Sequence, residues 1–395
     1  MKQGWEIKKL VDVCIVERGS SPRPIEKYQT DRSDGVNWIK IGDTKGVDKY
    51  IYSTKEKITK EGAEKSRYVK EGDFILSNSM SFGKPFIMKT DGYIHDGWFV
   101  LRLHKFINSE YFFNLLSSPY VNEQFHKLAS GSVVKNISGD LVKKVVLPIP
   151  PLPEQQRIVA ILDEAFTAIA KAKANAEQNL KNAKELFDCI LNEILYDKSW
   201  EVRALGEICS KVEYGSSTKS KPEGKLPVLR MGNIQNGRFN WDSLVYSDDE
   251  EDNKQYLLKY NDVLFNRTNS PELVGKTAIY KSEMPAIFAG YLIRIHRKED
   301  LLDADYLNFY LNSKMANEYG KTVVISSVNQ ANINGTKLKT YPIPLPKLKQ
   351  QQAIVQKLDA LSAETKRLEA IYQRKIEDLE ELKKSVLAKA FKGEL

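Results

Sequence analysis

The sequence predicts an α+β protein with two similar mixed α/β lobes in a pseudo-two-fold relation, each followed by one long helix. Three observations carry this. The chain is written twice. Each copy opens on an irregular, strand-rich stretch. Each copy closes on apolar residues at coiled-coil spacing.

The repeat comes first, because a period near half the chain length governs everything below it. Trp5-Glu6-Ile7 returns as Trp200-Glu201-Val202, 195 residues later. Pro148-Ile149-Pro150 returns as Pro342-Ile343-Pro344, and Gln155-Gln156-Arg157-Ile158-Val159 returns as Gln351-Gln352-Ala353-Ile354-Val355. The expected organisation is a lobe over 1–152, a helix over 153–198, a second lobe over 199–346 and a second helix over 347–395. Two similar surfaces suit a partner that itself has two parts.

Within each lobe, short apolar runs alternate with Gly, Asn, Ser and Pro. Val36–Asp43 reads as a strand and turn, matched by Pro227–Asn233. Gly72–Asn78 reads as another strand, matched by Asn261–Arg267. A Gly-Lys pair follows in both, at Gly83-Lys84 and Gly275-Lys276. Trp98–Leu103 and Gly290–Ile295 alternate as strands do. A short helix is expected near Ser109–Phe112 and again near Asp305–Leu307.

The first long helix has Pro153 suited to its first position and Glu154 suited to the positive end of the helix dipole. Its apolar stripe runs Ile158, Leu162, Ala165, Ile169, Ala172, Ala176, Leu180, Ala183, Phe187, Ile190, Ile194. The second gives Ile354, Leu358, Leu361, Thr365, Leu368, Tyr372, Ile376, Leu379. Steps of three and four residues approximate a heptad repeat. Both stripes double a step of four at the same place, Ala172-Ala176-Leu180 and Leu368-Tyr372-Ile376. A shared slip suggests two helices packed on each other. The plainer alternative lays each helix on its own lobe. At 1.5 Å per residue, about forty residues run roughly 60 Å, longer than a lobe of about 150 residues is wide.

Composition bounds the function. The 395 residues are 42% hydrophobic, enough for real cores, and the net charge of +8 is compatible with a phosphate-bearing partner. Three cysteines, Cys14, Cys189 and Cys209, widely spaced and with no CxxC, make no disulfide framework, which points to a reducing compartment. The four histidines make no zinc pattern with them. The first residues lack the apolar core of a secretory signal, and no apolar run approaches membrane-spanning length. A cytoplasmic protein is expected.

Catalytic signatures fail one by one. Gly275-Lys276-Thr277 resembles the end of a phosphate-binding loop, but Ser270 stands where that loop needs glycine. No Asn-Pro-Pro-aromatic segment of an amino-methyltransferase is present, nor a G-x-G-x-x-G fingerprint. Glu6-Ile7-Lys8 and Glu223-Gly224-Lys225 match a nuclease-like E-x-K triplet without an upstream Pro-Asp. The acidic run Asp248–Asp252 reads as a solvated loop. The expectation is a chain that binds and does not catalyse, with no metal site.

Three pairs of loops could read DNA, which takes cations for phosphates and forked amides or guanidinium groups for base edges. The first pair offers Arg18, Ser20, Ser21 and Arg23, against Ser217 and Lys219. The second offers Asn78, Ser79, Ser81 and Lys84, against Asn266, Arg267, Thr268, Asn269 and Lys276. The third offers Ser132, Lys135 and Asn136, against Ser326, Ser327, Asn329 and Gln330. Such residues also dominate ordinary turns. Arg267 could fork onto guanine, and Asn78 or Asn269 could pair with adenine. The loops differ between halves, as two unlike half-sites would require.

At this point the chain resembles a known family, the specificity subunits of type I restriction-modification systems. The sharpest element is Leu147–Val159, which looks like that family's junction between recognition domain and conserved helix. The second junction, Pro342–Pro346 to Gln350–Val355, is similar but has Lys349 where the family favours Glu. Ala388–Leu395 is also family-like. The resemblance implies two target-recognition domains separated by two long helices that form an antiparallel coiled coil, built on Ile158, Leu162, Ile169, Leu180, Phe187, Ile190, Leu358, Leu361, Leu368, Tyr372, Ile376 and Leu379. It implies a split, asymmetric target in double-stranded DNA. It also implies docking of two methyltransferase subunits and two restriction subunits, which would carry S-adenosylmethionine, ATP and Mg. The alternatives are a recognition subunit of another or orphan adenine-methyltransferase system, or a protein scaffold that touches no DNA.

Overall fold

The repeated motifs at the two ends of each lobe turn out to be neighbours in space. Glu6–Lys9 pairs antiparallel with Val146–Ile149, and Val202–Ala204 pairs the same way with Pro342–Pro344. The computed structural model describes residues 3–78, 83–129, 138–327 and 330–395, the side chains of Ala129, Ser326 and Ser327 apart. The chain divides into two units, residues 1–176 with 374–395, and residues 177–373.

Both units repeat one sheet order. In the first, Cys14–Arg18, Trp98–Leu103, Phe74–Ser77 and Pro85–Met88 lie side by side, with Tyr50–Ile51 added at the edge. In the second, the same order is Cys209–Tyr214, Leu292–Arg297, Val263–Asn266 and Thr277–Ile279. Alternation of apolar and polar residues is weak in these strands because their central residues are buried on both faces, as the all-buried Phe74–Ser77 and Val263–Asn266 illustrate. A second sheet holds Val36–Ile39 beside Gly92–Ile94 in the first unit, and Leu226–Leu229 beside Ile287–Phe288 in the second.

The short helices fall where the sequence places them, at Ser109–Leu116 and Ala304–Leu311. Asn108 and Asp303 cap them, each side chain accepting from the N–H three residues on at 3.0 Å. Tyr111 and Tyr306 then reach back and donate to the Pro148 and Pro344 carbonyls at 2.7 and 2.8 Å. The acidic run differs from expectation. Asp249 caps a short helix, Glu250–Gln255, so Glu250, Glu251 and Asp252 sit at its positive end.

The long helices span Leu152–Leu195 and Leu348–Lys392. The first starts one residue ahead of Pro153, still within the first turn, where a missing N–H costs nothing. Ile158, Leu162, Ile169 and Leu358 are buried; Leu180, Phe187, Ile190, Leu361, Leu368, Tyr372, Ile376 and Leu379 are half-buried. Both helices contribute to both units. In the first unit, Ile158 and Leu162 share a core with Leu387, Ala390 and Phe391. The direction is antiparallel: Arg157 donates to the Leu395 carbonyl at 2.7 Å, while Lys173 meets Glu380 at 2.7 Å. In the second unit, Leu191 and Leu195 share a core with Ile354 and Leu358.

The twin glutamine motifs have a specific job. Gln155 is fully buried; it accepts from the Asn108 N–H at 2.7 Å and donates to the Phe106 and Pro150 carbonyls. Gln351 repeats this with Asp303 at 2.8 Å, Leu301 and Pro346. Each amide satisfies loop backbone that would otherwise be buried unpaired, and so locks helix to lobe. The halves also trade volume in their cores. Phe125 and Leu147 of the first correspond to Gly320 and Tyr341 of the second, where a Cβ on Gly320 would lie 2.6 Å from the Tyr341 hydroxyl. The aromatic ring thus stands on the helix Pro119–Ala129 in the first half and immediately before the strand Pro342–Pro344 in the second, and Gly320 leaves room for the Tyr341 hydroxyl.

One charged cluster recurs beneath the main sheet. Arg294 bonds Glu213 and Asp262, with His296 also on Glu213 at 2.9 Å. Its counterpart joins Arg102 to Glu17 and Asp73. Burial works against ionised Glu213, but hydrogen bonds from Arg294, His296 and Lys211 outweigh it and hold the carboxyl at about 2. A carboxyl lowered in the folded state stabilises fully above its ordinary value of 4.5, and that contribution is lost as pH falls toward about 2. Urea midpoints measured from pH 5 to pH 2 should therefore fall more steeply for the native protein than for Glu213→Gln. Parallel curves would refute this.

Candidate nucleic-acid interface

In both lobes a strand running up from the N-terminal side ends in a tight glycine contact. A Cβ on Gly19 would lie 2.0 Å from the His95 carbonyl oxygen, and one on Gly215 would lie 2.2 Å from that of Phe288. Only glycine lets these chains approach so closely. The result gathers three segments at one end of the sheet. In the first lobe these are Arg18–Arg23, Asn78 and His95-Asp96-Gly97. In the second they are Tyr214–Lys219, Asn266–Asn269 and Ala289-Gly290-Tyr291.

The second lobe brings its three predicted loops together. Thr268–Asn269 pairs with Gln330–Asn332, which pairs with Ile325–Ser327. The Arg267 guanidinium lies over the Tyr214 ring, 4.8 Å from its centroid. The Tyr214 hydroxyl accepts from the Gly335 N–H at 2.7 Å. Arg267 Nη1 reaches only weakly to the Gly290 carbonyl, at 3.4 Å, and its Nε is buried without a partner. The arginine is thus held flat but not spent. Tyr214 and Tyr291 are 41% and 52% exposed beside it.

Other predicted residues serve the scaffold. Asn266 is fully buried, its amide donating to the Leu273 carbonyl at 3.2 Å. Thr268 is buried, accepting from Asn332 at 2.8 Å, and the Asn269 side chain accepts from the Ser270 N–H at 2.9 Å. Lys276 is half-buried on the wall of a cavity of about 1180 Å³ that also meets Asp188 and Asp359, two carboxyls pushed up by burial. Ser217, Lys219 and Gln330 are exposed.

In the first lobe, Asp96 organises the loop. It accepts from the Ser21 hydroxyl at 2.6 Å, lies 3.7 Å from Arg23, and its backbone carbonyl accepts from Arg18 at 3.3 Å. The Ser21 bond, against the cost of burial, lowers its carboxyl below the ordinary value. Ser20 donates to the Lys65 carbonyl. Arg23 remains 82% exposed at its side chain. Asn78 is buried, its N–H donating to the Gly97 carbonyl at 2.8 Å. Lys84 leans away, over the Phe86 ring and onto the Val47 carbonyl. Ser79, Ser81, Ser132, Lys135, Asn136 and Asn329 lie outside the described residues, as do the side chains of Ser326 and Ser327. Sequence reasoning missed His95, Asp96 and Tyr291; the signal was a glycine within two residues ahead of a strand, Gly97 before Trp98–Leu103 and Gly290 before Leu292–Arg297.

Two lobes of one topology, presenting unlike polar groups at the same strand end, define a tandem recognition protein. The chain belongs to the type I restriction-modification DNA specificity family, whose domain matches residues 2–181 and again 197–378. Its class of function is therefore DNA sequence recognition. It is similar to the type I restriction enzyme EcoKI specificity subunit of Escherichia coli K12, at 24% identity over 100% of this chain and 90% of that one. It is also similar to the MjaVIII specificity subunit of Methanocaldococcus jannaschii, at 23% identity over 100% and 93%. Among solved structures, the fold resembles a chain from the assembly of a type I restriction-modification system, with a TM-score of 0.78 at 21% identity, covering 100% of this chain and 99% of that chain. It also resembles the HsdS subunit of Thermoanaerobacter tengcongensis, with a TM-score of 0.64 at 22% identity, covering 100% and 98%. Among the described residues, no helix is long and apolar enough to cross a membrane.

Proposed function

We propose that the chain reads a two-part, asymmetric target in duplex DNA, one half-site per lobe, and carries no reaction chemistry of its own. The observation behind this is the paired strand ends: one framework, with Arg18, Ser21 and Arg23 in the first lobe and Tyr214, Arg267 and Gln330 in the second. Unlike groups in like places suit unlike base sequences. The two matched junctions, Leu147–Val159 and Pro342–Val355, offer two equivalent docking places, one for each of two methyltransferase subunits. Those subunits would supply S-adenosylmethionine, and two restriction subunits with ATP and Mg would join them in the cytoplasm.

Separable halves give the test. Residues 199–346 exchanged for the equivalent region of a relative should alter one half-site and leave the other intact, as read by selection from a random duplex library. Changes in both half-sites would overturn independent reading. Binding should also weaken steeply with salt, because phosphate contacts release counterions.

A further inference from the structure

The first lobe holds a pocket of about 610 Å³ beside its strand end. Its lining mixes the apolar Pro22, Pro24 and Trp38 with Arg23, Lys40 and His95 and one carboxylate, Glu26. The histidine is fixed to an unusual degree. The Gly97 N–H donates to its Nδ1 at 2.9 Å. Trp38 and Trp98 flank the ring, with centroids 6.2 and 6.3 Å away. Gly97 has no side chain to interfere, and a Cβ there would lie 2.3 Å from the imidazole Cε1.

That arrangement determines the tautomer. With Nδ1 accepting, the neutral ring carries its proton on Nε2. Burial lowers the imidazole below its ordinary value, against the opposing pull of Asp96, so the ring is neutral near pH 7. Nε2 has no hydrogen-bond partner among the described residues. A single donor of fixed direction therefore stands in a concave site. The Arg23 side chain is 82% exposed and 3.7 Å from Asp96, while Lys40 is held by Glu56 at 2.8 Å. One donor of fixed tautomer with an exposed cation beside it suits an acceptor carried on a polyanion.

We propose that His95 is a base-reading residue of the first lobe, its Nε2–H donating to a purine N7, guanine O6 or thymine O4 while Arg23 neutralises an adjoining phosphate. The site rests on the DNA-reading assignment above and adds to it the class of base edge. Cytosine offers only a donor at its major-groove edge and would be rejected at that position. In the second lobe Ala289 and Val228 take the places of His95 and Trp38, so the device belongs to one half-site alone.

The full-length chain, selected against a random duplex library, tests this. His95→Ala should relax the preference at one base pair of one half-site about five- to tenfold, leaving the other half-site and the spacer unchanged. His95→Gln, which can place an amide N–H near the Nε2 position, should retain part of that preference. Should His95→Ala lose its melting transition, Gly97→Ala carries the test by driving a methyl group into the ring, and it should relax the same half-site. Unchanged preferences in these variants, or equal losses at both half-sites, would overturn the role of His95. A wild-type chain that selects no two-part motif would instead overturn the DNA-reading assignment itself.

Discussion

Removing seven residues from each long helix, 172–178 and 368–374, is expected to shorten the unread DNA between half-sites by about three base pairs. Seven residues at 1.5 Å each remove about 10 Å, and duplex DNA rises about 3.4 Å per base pair. A heptad nearly restores the helix face, drifting only about 20°. Three base pairs, however, rotate a half-site by about 100°, since the duplex turns once in about 10.5. The shortened protein should therefore prefer a shorter spacer and bind even its best target less tightly. Library selection reads the spacer, and titration at fixed salt reads the affinity. An unchanged spacer would show that helix length does not set the distance between half-sites.

Replacing Arg294 with Met should cost about 3–5 kcal/mol, because it removes the buried guanidinium shared by the half-buried carboxylates of Glu213 and Asp262. Arg294 is 5% exposed and donates to Glu213, Asp262 and the carbonyls of Leu257 and Gln255. At about 2–4 °C per kcal/mol for a unit of this size, the melting transition should fall by about 6–20 °C. Arg102→Met in the first lobe should cost less. The Arg102 side chain is more open to solvent, which screens the charges left behind. Calorimetry of both variants decides; equal shifts would show that burial is not what sets the cost.

Much of this architecture was legible in the sequence, and the reason is physical. Helical stripes such as Ile158–Leu162–Ile169 and Leu358–Leu361–Thr365 are local and periodic, so a linear reading finds them. The Gln155 and Gln351 motifs were visible as repeats, but their bonds to Asn108 and Asp303 join residues nearly fifty positions apart. The surface was harder. Asn78 and Asn266 read as polar loop residues, yet both are buried, Asn78 bonding through its backbone N–H to Gly97 and Asn266 through its amide to Leu273. Whether an asparagine faces water or caps its own turn depends on tertiary packing, which a single sequence does not encode locally. His95 and Tyr291 escaped notice for the opposite reason. Their role depends on the close approach of Gly19 and Gly215 from a distant strand.

The way the units interleave along the chain bears on how the protein is made. Residues 177–373 form one unit without interruption, whereas the other needs Leu387, Ala390 and Phe391 to close over Ile158, Leu162 and Tyr111. A polypeptide leaves the ribosome from its N-terminus at about 5–20 residues per second. The half synthesised first is therefore the half completed last. For roughly ten seconds or more it waits with an apolar face uncovered.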